Sequence, residues 1–132
     1  MKEIKYGIAV DGSHLMKSKV TEYRAVSLLT NEELFRKSIK YSSINCAEYL
    51  ALVEGIKWIM NNDPADRVLW SDSQTAIAWY KARKSASGVR MPEMKKADLF
   101  LQMMECELDT IDVKHWNKRT IGYENPADFG RK

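Results

Sequence analysis

The chain has 132 residues, 45% hydrophobic and 30% charged, with a net charge of +3. That size suits a single domain, residues 1–132, with a real core. No run approaches the roughly 18 to 20 apolar residues a membrane span requires, and so small a net charge does not by itself indicate a nucleic-acid partner.

Lys2 to Val10 alternate loosely, with Ile4, Tyr6, Ile8 and Val10 on one face, which predicts a strand. Asp11-Gly12-Ser13 then reads as a turn, and His14 to Thr21 as a polar loop. Tyr23 to Leu29 is the second predicted strand. After a turn at Thr30-Asn31-Glu32-Glu33, Leu34 to Ser42 is the third, with Phe35, Lys37, Ile39 and Tyr41 on one face. Short connections between these strands imply an antiparallel meander.

Ser43 to Asn62 is a predicted helix. Asn45 is the expected N-cap, and Glu48 falls at capping-box spacing from it. Leu52, Ile56, Ile59 and Met60 form its apolar stripe, and Gly55 permits a close approach to a sheet. Arg67 to Ser71 is a buried strand running into Asp72. Because a helix precedes it, it can lie parallel to the first strand. Asp72 to Arg83 is a short helix, followed by a basic loop from Lys84 to Arg90 containing Ser85, Ser87 and Gly88.

Pro92 opens an amphipathic helix to Leu108, in which Met94, Ala97, Leu101, Met104 and Leu108 recur at helical spacing. Ile111 to Trp116 is the last strand and Asn117 to Glu124 a loop. Asn125-Pro126-Ala127-Asp128 is expected to open a short terminal helix. The predicted order is βββαβααβα. Cys46 and Cys106 lie in helical segments without paired spacing, and residues Met1 to Lys5 contain no apolar leader core. A reducing, cytoplasmic location is expected.

Asp11, Glu48, Asp72 and Asp128 stand apart from the other acids. Asp11 and Asp72 each follow an apolar run at the end of a predicted strand, where open α/β sheets place their chemistry. If those strands are parallel neighbours, the two carboxylates lie side by side, and a cation between them would relieve their repulsion. Glu48 and Asp128 fall in first turns of predicted helices. Each acid also has a simple structural use, in a capping box, an Asp-Gly turn or a helix N-terminus. Together they form a hard oxygen donor set suited to Mg²⁺ or Mn²⁺. Two such ions about 3.5 to 4 Å apart can drive phosphodiester hydrolysis. Asp63, Asp66, Asp98, Asp109 and Asp112 read as surface or turn acids.

Asp11-Gly12-Ser13, Asn45-Cys46-Ala47-Glu48, Asp72-Ser73-Gln74 and Glu124-Asn125-Pro126-Ala127-Asp128 follow in an order that resembles ribonuclease H of the type found in bacteria, eukaryotes and retroviral polymerases. The resemblance spans nearly the whole chain. It implies an RNase H-like α/β fold: a mixed five-stranded sheet, three antiparallel strands then parallel ones, with helices on both faces. It also implies hydrolysis of the RNA strand of an RNA–DNA hybrid, leaving a 3′-hydroxyl and a 5′-phosphate, with two Mg²⁺ ions for which Mn²⁺ can substitute. Asp11 would bridge both ions, Glu48 and Asp72 would complete one shell, and Asp128 would serve the other.

Gly12, Ser13, Ser43, Asn45, Ser73 and Gln74 match hybrid-contacting positions, and Lys81 and Lys84 belong to a basic segment placed like a hybrid-gripping protrusion. Thr120 and Asn125 are loop candidates, Thr120 standing nearest to where the family often has a histidine. His115 reads as a half-buried strand residue and His14 as a minor candidate helper near Asp11. A monomer is expected, without membrane association. The alternatives are a related nuclease acting on another structured nucleic acid, and a non-catalytic module that binds hybrid or double-stranded RNA.

Overall fold

The computed structural model describes residues 3–15, 20–40, 43–86 and 91–129. Three antiparallel strands come first: β1 (Ile8–Leu15), β2 (Val20–Ser27) and β3 (Glu33–Lys40). Helix α1 (Ile44–Asn62), strand β4 (Val68–Ser71) and helix α2 (Gln74–Ala82) follow. The chain continues through α3 (Pro92–Met103), α4 (Glu105–Leu108), β5 (Asp112–His115) and α5 (Lys118–Ile121). The sheet order is β3-β2-β1-β4-β5, with β1 antiparallel to β2 and parallel to β4, and β4 parallel to β5. The mixed five-stranded sheet is therefore as expected.

The first strand departs from its prediction. Gly7 has φ +84°, outside the extended range, and β1 begins only after it at Ile8, although the Gly7 carbonyl still accepts from the Leu28 amide at 3.1 Å. At its other end β1 continues through Asp11, Gly12 and Ser13, which pair with Arg24, Tyr23 and Glu22. The expected Asp-Gly turn is absent because Asp11 and Gly12 continue the eight-residue antiparallel pairing of β1 with β2. The expected polar loop at His14 to Thr21 shrinks accordingly, since His14, Leu15, Val20 and Thr21 are strand residues. Lys2, Met16 to Lys19, Tyr41, Ser42, Ser87 to Arg90 and Gly130 to Lys132 lie outside the described residues.

Ile8, Val10, Tyr23, Ala25 and Leu69 pack with α1, α2 and α3 into the larger core. Gly55 brings α1 onto the sheet as expected: a Cβ would lie 2.6 Å from Leu69 Cδ1 and 3.0 Å from Val10 Cγ1. Cys46 is fully buried and Cys106 exposed, and neither is in a disulfide. The helix predicted from Pro92 to Leu108 is interrupted at Met104 (φ −100°, ψ 19°), and beyond the interruption Leu108 and Ile111 still join the core. On the other face Ala9, Val26, Leu28 and Trp70 are covered by Trp116, Ile121, Tyr123 and Ala127, so short segments do there what long helices do opposite. Among the described residues no helix is long and apolar enough to cross a membrane.

Asp98 is a bracket rather than a plain surface acid. Its carboxylate accepts from the Tyr49 hydroxyl (2.6 Å), the Ser85 amide (2.9 Å) and the Ser85 hydroxyl (3.2 Å), joining α1, α3 and the segment after α2. Burial first, and then this bond, push the Tyr49 hydroxyl well above the ordinary tyrosine range. Burial, with nearby Glu54 and Glu93, pushes Tyr23 up to about 12. Below the unfolded value near 10.0 both states keep the proton; above it the unfolded chain ionises first, so stability falls as pH rises. Tyr49→Phe is expected to lower unfolding stability by about 1–2 kcal/mol at neutral pH and to flatten the alkaline decline. Urea titrations of both proteins at pH 7 to 11 measure this; an unchanged midpoint and an unchanged alkaline slope would refute the bracket.

Candidate metal centre

Parallel pairing of β1 with β4 sets Val10 beside Ser71. The next residue on each strand is Asp11 and Asp72. They lie where β4 ends and β1 continues alone against β2. Asp11 is fully buried and Asp72 half-buried.

Glu48 joins them from α1. A Cβ on Gly12 would lie 2.6 Å from Ala47 Cβ, Ala47 C and the Glu48 amide nitrogen, so only glycine lets the helix backbone sit this close to the strand. The Gly12 N–H donates to Glu48 Oε2 at 3.3 Å. The expected N-cap is corrected: Ser43 holds that position and accepts from the Cys46 amide, because the helix starts at Ile44. Asn45 is therefore inside the helix, and Glu48 lies beyond its first turn, only 4% exposed. The capping-box use of Glu48 fails with that shift. Asp72 likewise does not cap α2; Ser73 does, accepting from the Ala76 amide at 3.0 Å.

Asp11, Glu48 and Asp72 each offer an oxygen, and these atoms all lie within 4.8 Å of one another. Three carboxylates this close, two of them buried, repel strongly, and the lowered local dielectric makes the repulsion costlier than in water. A divalent cation removes that cost, and an all-oxygen donor set suits Mg²⁺ or Mn²⁺ over softer metals.

Asp128 is outside that triad but next to it. The Phe129 amide donates to Asp11 Oδ2 at 3.2 Å. The expected terminal helix is instead a turn built on Asn125, which is 2% exposed. Its side-chain N–H donates to the Val10 carbonyl (2.9 Å), its side-chain oxygen accepts from the Ala127 amide (2.8 Å), and its carbonyl accepts from the Asp128 amide (2.9 Å). Asn125 thus ties the Asp128 segment to the residue preceding Asp11. Its buried bond to Val10 had no signature in local pattern.

The region read as a loop at Asn117 to Glu124 contains α5, capped by Asn117 and ended by Gly122 at φ +99°. It borders a cavity of about 410 Å³ beside Asp72, lined by His115, Trp116, Asn117, Lys118, Arg119 and Glu124. His115 is half-buried in β5, opposite Ser71, as its strand reading implied. Its place on the cavity wall follows only from the parallel β4–β5 register. Lys118 pairs with Glu124 at 2.8 Å, a bond that raises the amine's pKa. Thr120 is exposed on α5, and His14 Nδ1 lies 3.1 Å from Thr21 Oγ1.

Of the expected substrate contacts, Asn45, Gln74, Lys81 and Lys84 are exposed, and Ser43 and Ser73 are half-buried caps. Gly12 and Ser13 are buried, so Gly12 acts in seating Glu48 rather than as an open surface contact. In the basic segment, Tyr80 is core, Trp79 packs edge-on against Tyr49 (5.5 Å), and Arg83 lies over Tyr80 while donating to its carbonyl.

No protein-family model matches the chain. Its structure is similar to the N-terminal RNase H domain of a Mycobacterium tuberculosis protein, with TM-score 0.54 and 15% identity over 89% of this chain and 92% of that one. It is similar to a compost-derived RNase H1 solved in complex with an RNA/DNA hybrid, with TM-score 0.51 and 17% identity over 86% of each chain. It is also similar to a foamy viral protease-reverse transcriptase in complex with dsDNA, with TM-score 0.60 and 15% identity over 89% of this chain and 85% of that one. The chain therefore has the RNase H-like fold.

Proposed function

We propose that this chain is a divalent-metal-dependent endoribonuclease that hydrolyses the RNA strand of RNA–DNA hybrids. The observation that carries the reading is the cluster of Asp11, Glu48 and Asp72, oxygens within 4.8 Å, at the sheet edge where β4 ends. Asp11, which also accepts from the Phe129 amide, would serve both cation positions; Glu48 and Asp72 would hold one and Asp128 the other. When bound, two Mg²⁺ ions (or Mn²⁺) supply activation of the attacking water and neutralise charge at the phosphate. The protein's part is to hold its carboxylates rigidly: Gly12 seats Glu48, Ser73 caps α2 beside Asp72, and Asn125 anchors the Asp128 turn. Cleavage between the 3′-oxygen and phosphorus leaves a 3′-hydroxyl and a 5′-phosphate.

The exposed Asn45 and Gln74 flank the acids on the first turns of α1 and α2, where minor-groove edges and a ribose 2′-hydroxyl would lie. Only that hydroxyl distinguishes RNA from DNA at one nucleotide, and A-like duplexes present it in a wide minor groove. Ser43 would meet a DNA-strand phosphate, and Lys81 and Lys84 further phosphates, contacts that position without reading sequence. The fold's likeness to a protein solved with an RNA/DNA hybrid supports the choice of substrate.

A substrate panel tests it. With Mg²⁺, cutting is expected only in the RNA strand of the hybrid, absent from RNA–RNA, DNA–DNA and single-stranded RNA, with 5′-phosphorylated downstream products. Cutting of another structured nucleic acid instead would point to a related nuclease. Salt-sensitive binding without cutting would point to a binding module.

A further inference from the structure

One row across the sheet is unlike its neighbours. Asp11 on β1 is paired with Arg24 on β2, and Arg24 with Arg36 on β3. The segment bearing Asp128 is bonded along this row. Arg24 Nε donates to the Ala127 carbonyl at 2.7 Å and its Nη2 to the Asp128 carbonyl at 2.6 Å, a two-pronged grip on the carbonyls either side of the Asp128 Cα. Both guanidiniums stand over the Phe129 ring, Arg24 at 4.8 Å and Arg36 at 5.2 Å from its centre. Glu33 orients the pair, 3.7 Å from Arg24 and 2.7 Å from Arg36, and Glu22 lies 3.6 Å from Arg36. Past Arg24, the Phe129 amide reaches Asp11 itself.

The need for such a grip follows from the local structure. Residues 125–129 form a turn and not a helix, in which the Ala127 and Asp128 amides donate to the side-chain oxygen and the carbonyl of Asn125. We infer that Arg24, seconded by Phe129 and Arg36, is a positioning residue that holds Asp128 against Asp11 and so completes the second cation position. This rests on the acids being a metal site. Arg24 acts through Asp128 and is not itself a catalytic residue. Lysine cannot replace it, because an ammonium is a point donor and cannot match two carbonyls with a planar fork.

The test uses the full chain with Arg24→Lys and, independently, Phe129→Leu, each checked for native circular dichroism. Two readouts are taken. The first is the Mg²⁺ concentration for half-maximal hybrid cleavage, with kcat and KM separated. The second, independent of activity, is hydrogen exchange at the amide of residue 129, taken as protection relative to the intrinsic rate of the residue present. The expected result is about a tenfold higher Mg²⁺ requirement, with hybrid KM within about twofold of wild type and kcat largely recovered at high Mg²⁺. Protection of the residue-129 amide should fall about tenfold while core amides of α1 are unchanged.

A raised hybrid KM with unchanged Mg²⁺ dependence would make Arg24 a duplex contact and overturn the inference. So would unchanged protection of the residue-129 amide in both variants. If Arg24→Lys does not fold, Phe129→Leu decides on the same criteria. If the wild type cuts no hybrid, the proposed activity fails, and the exchange readout, with Mn²⁺ titrated by calorimetry, still decides whether Arg24 holds the segment and strengthens cation binding.

Discussion

Asp72→Asn is expected to lower hybrid cleavage by about 10³-fold or more while leaving fold and hybrid binding intact, and Asp11→Asn to do the same. Each change keeps the shape of the side chain and removes one charge. A cation at the triad then loses a charged oxygen ligand, and its part in the reaction amounts to several kcal/mol of the barrier, about 10³-fold in rate. The same substitutions should raise metal-free thermal stability. Two carboxylates about 4 Å apart repel by about 1 kcal/mol in water and about 4 kcal/mol near a protein surface, so removing one charge should add a few degrees to Tm. The wild type should gain stability on addition of Mg²⁺ or Mn²⁺, and the variants much less. Thermal melts with EDTA and with each metal measure both signs. A metal-free Tm that falls in both variants would mean that the acids stabilise the fold, contrary to the reading of the cluster as a cation site.

Gly12→Ala should be the most damaging change outside the acids. The added methyl would fall 2.6 Å from Ala47 Cβ and from backbone atoms of Ala47 and Glu48, none of which is a flexible tip. Relief requires α1 to retreat from β1, which costs about 3 kcal/mol and carries Glu48 away from Asp11. Cleavage and stability should fall together. Gly55→Ala is the control on the same helix. Its nearest obstacle, also at 2.6 Å, is Leu69 Cδ1, a side-chain end that can turn aside, and alanine favours the helix. It should cost about 1 kcal/mol, the low end for an added core methyl, and leave cleavage nearly unchanged. Equal effects at the two glycines would contradict the idea that backbone proximity at Gly12 sets the position of Glu48.

The sheet order was legible because the connections allow little else: short links made β1, β2 and β3 a meander, and α1 made β4 free to lie parallel to β1. With that neighbour relation, Asp11 and Asp72 had to meet. The errors came where two local rules competed. Ser43 and Asn45 are both good caps, and choosing the second put Glu48 in a capping box that does not exist. Asp11-Gly12 has turn chemistry, yet Gly12 is there to admit α1. The remaining parts were invisible for a different reason. Asn125 reaches Val10 across 115 positions, and Arg24 reaches Ala127 across 103, and no periodicity or motif encodes a bond of that span.

The most direct measurement is cleavage of an end-labelled RNA annealed to DNA, by wild type and Asp72→Asn, each with Mg²⁺, Mn²⁺ or EDTA. The acids as a hydrolytic metal centre predict cutting of the RNA by wild type with either metal, none with EDTA, and none by the variant prepared in parallel. Cutting that survives EDTA, or is equal in the variant, would contradict that assignment, as would a folded wild type that binds the hybrid and cuts it with neither metal.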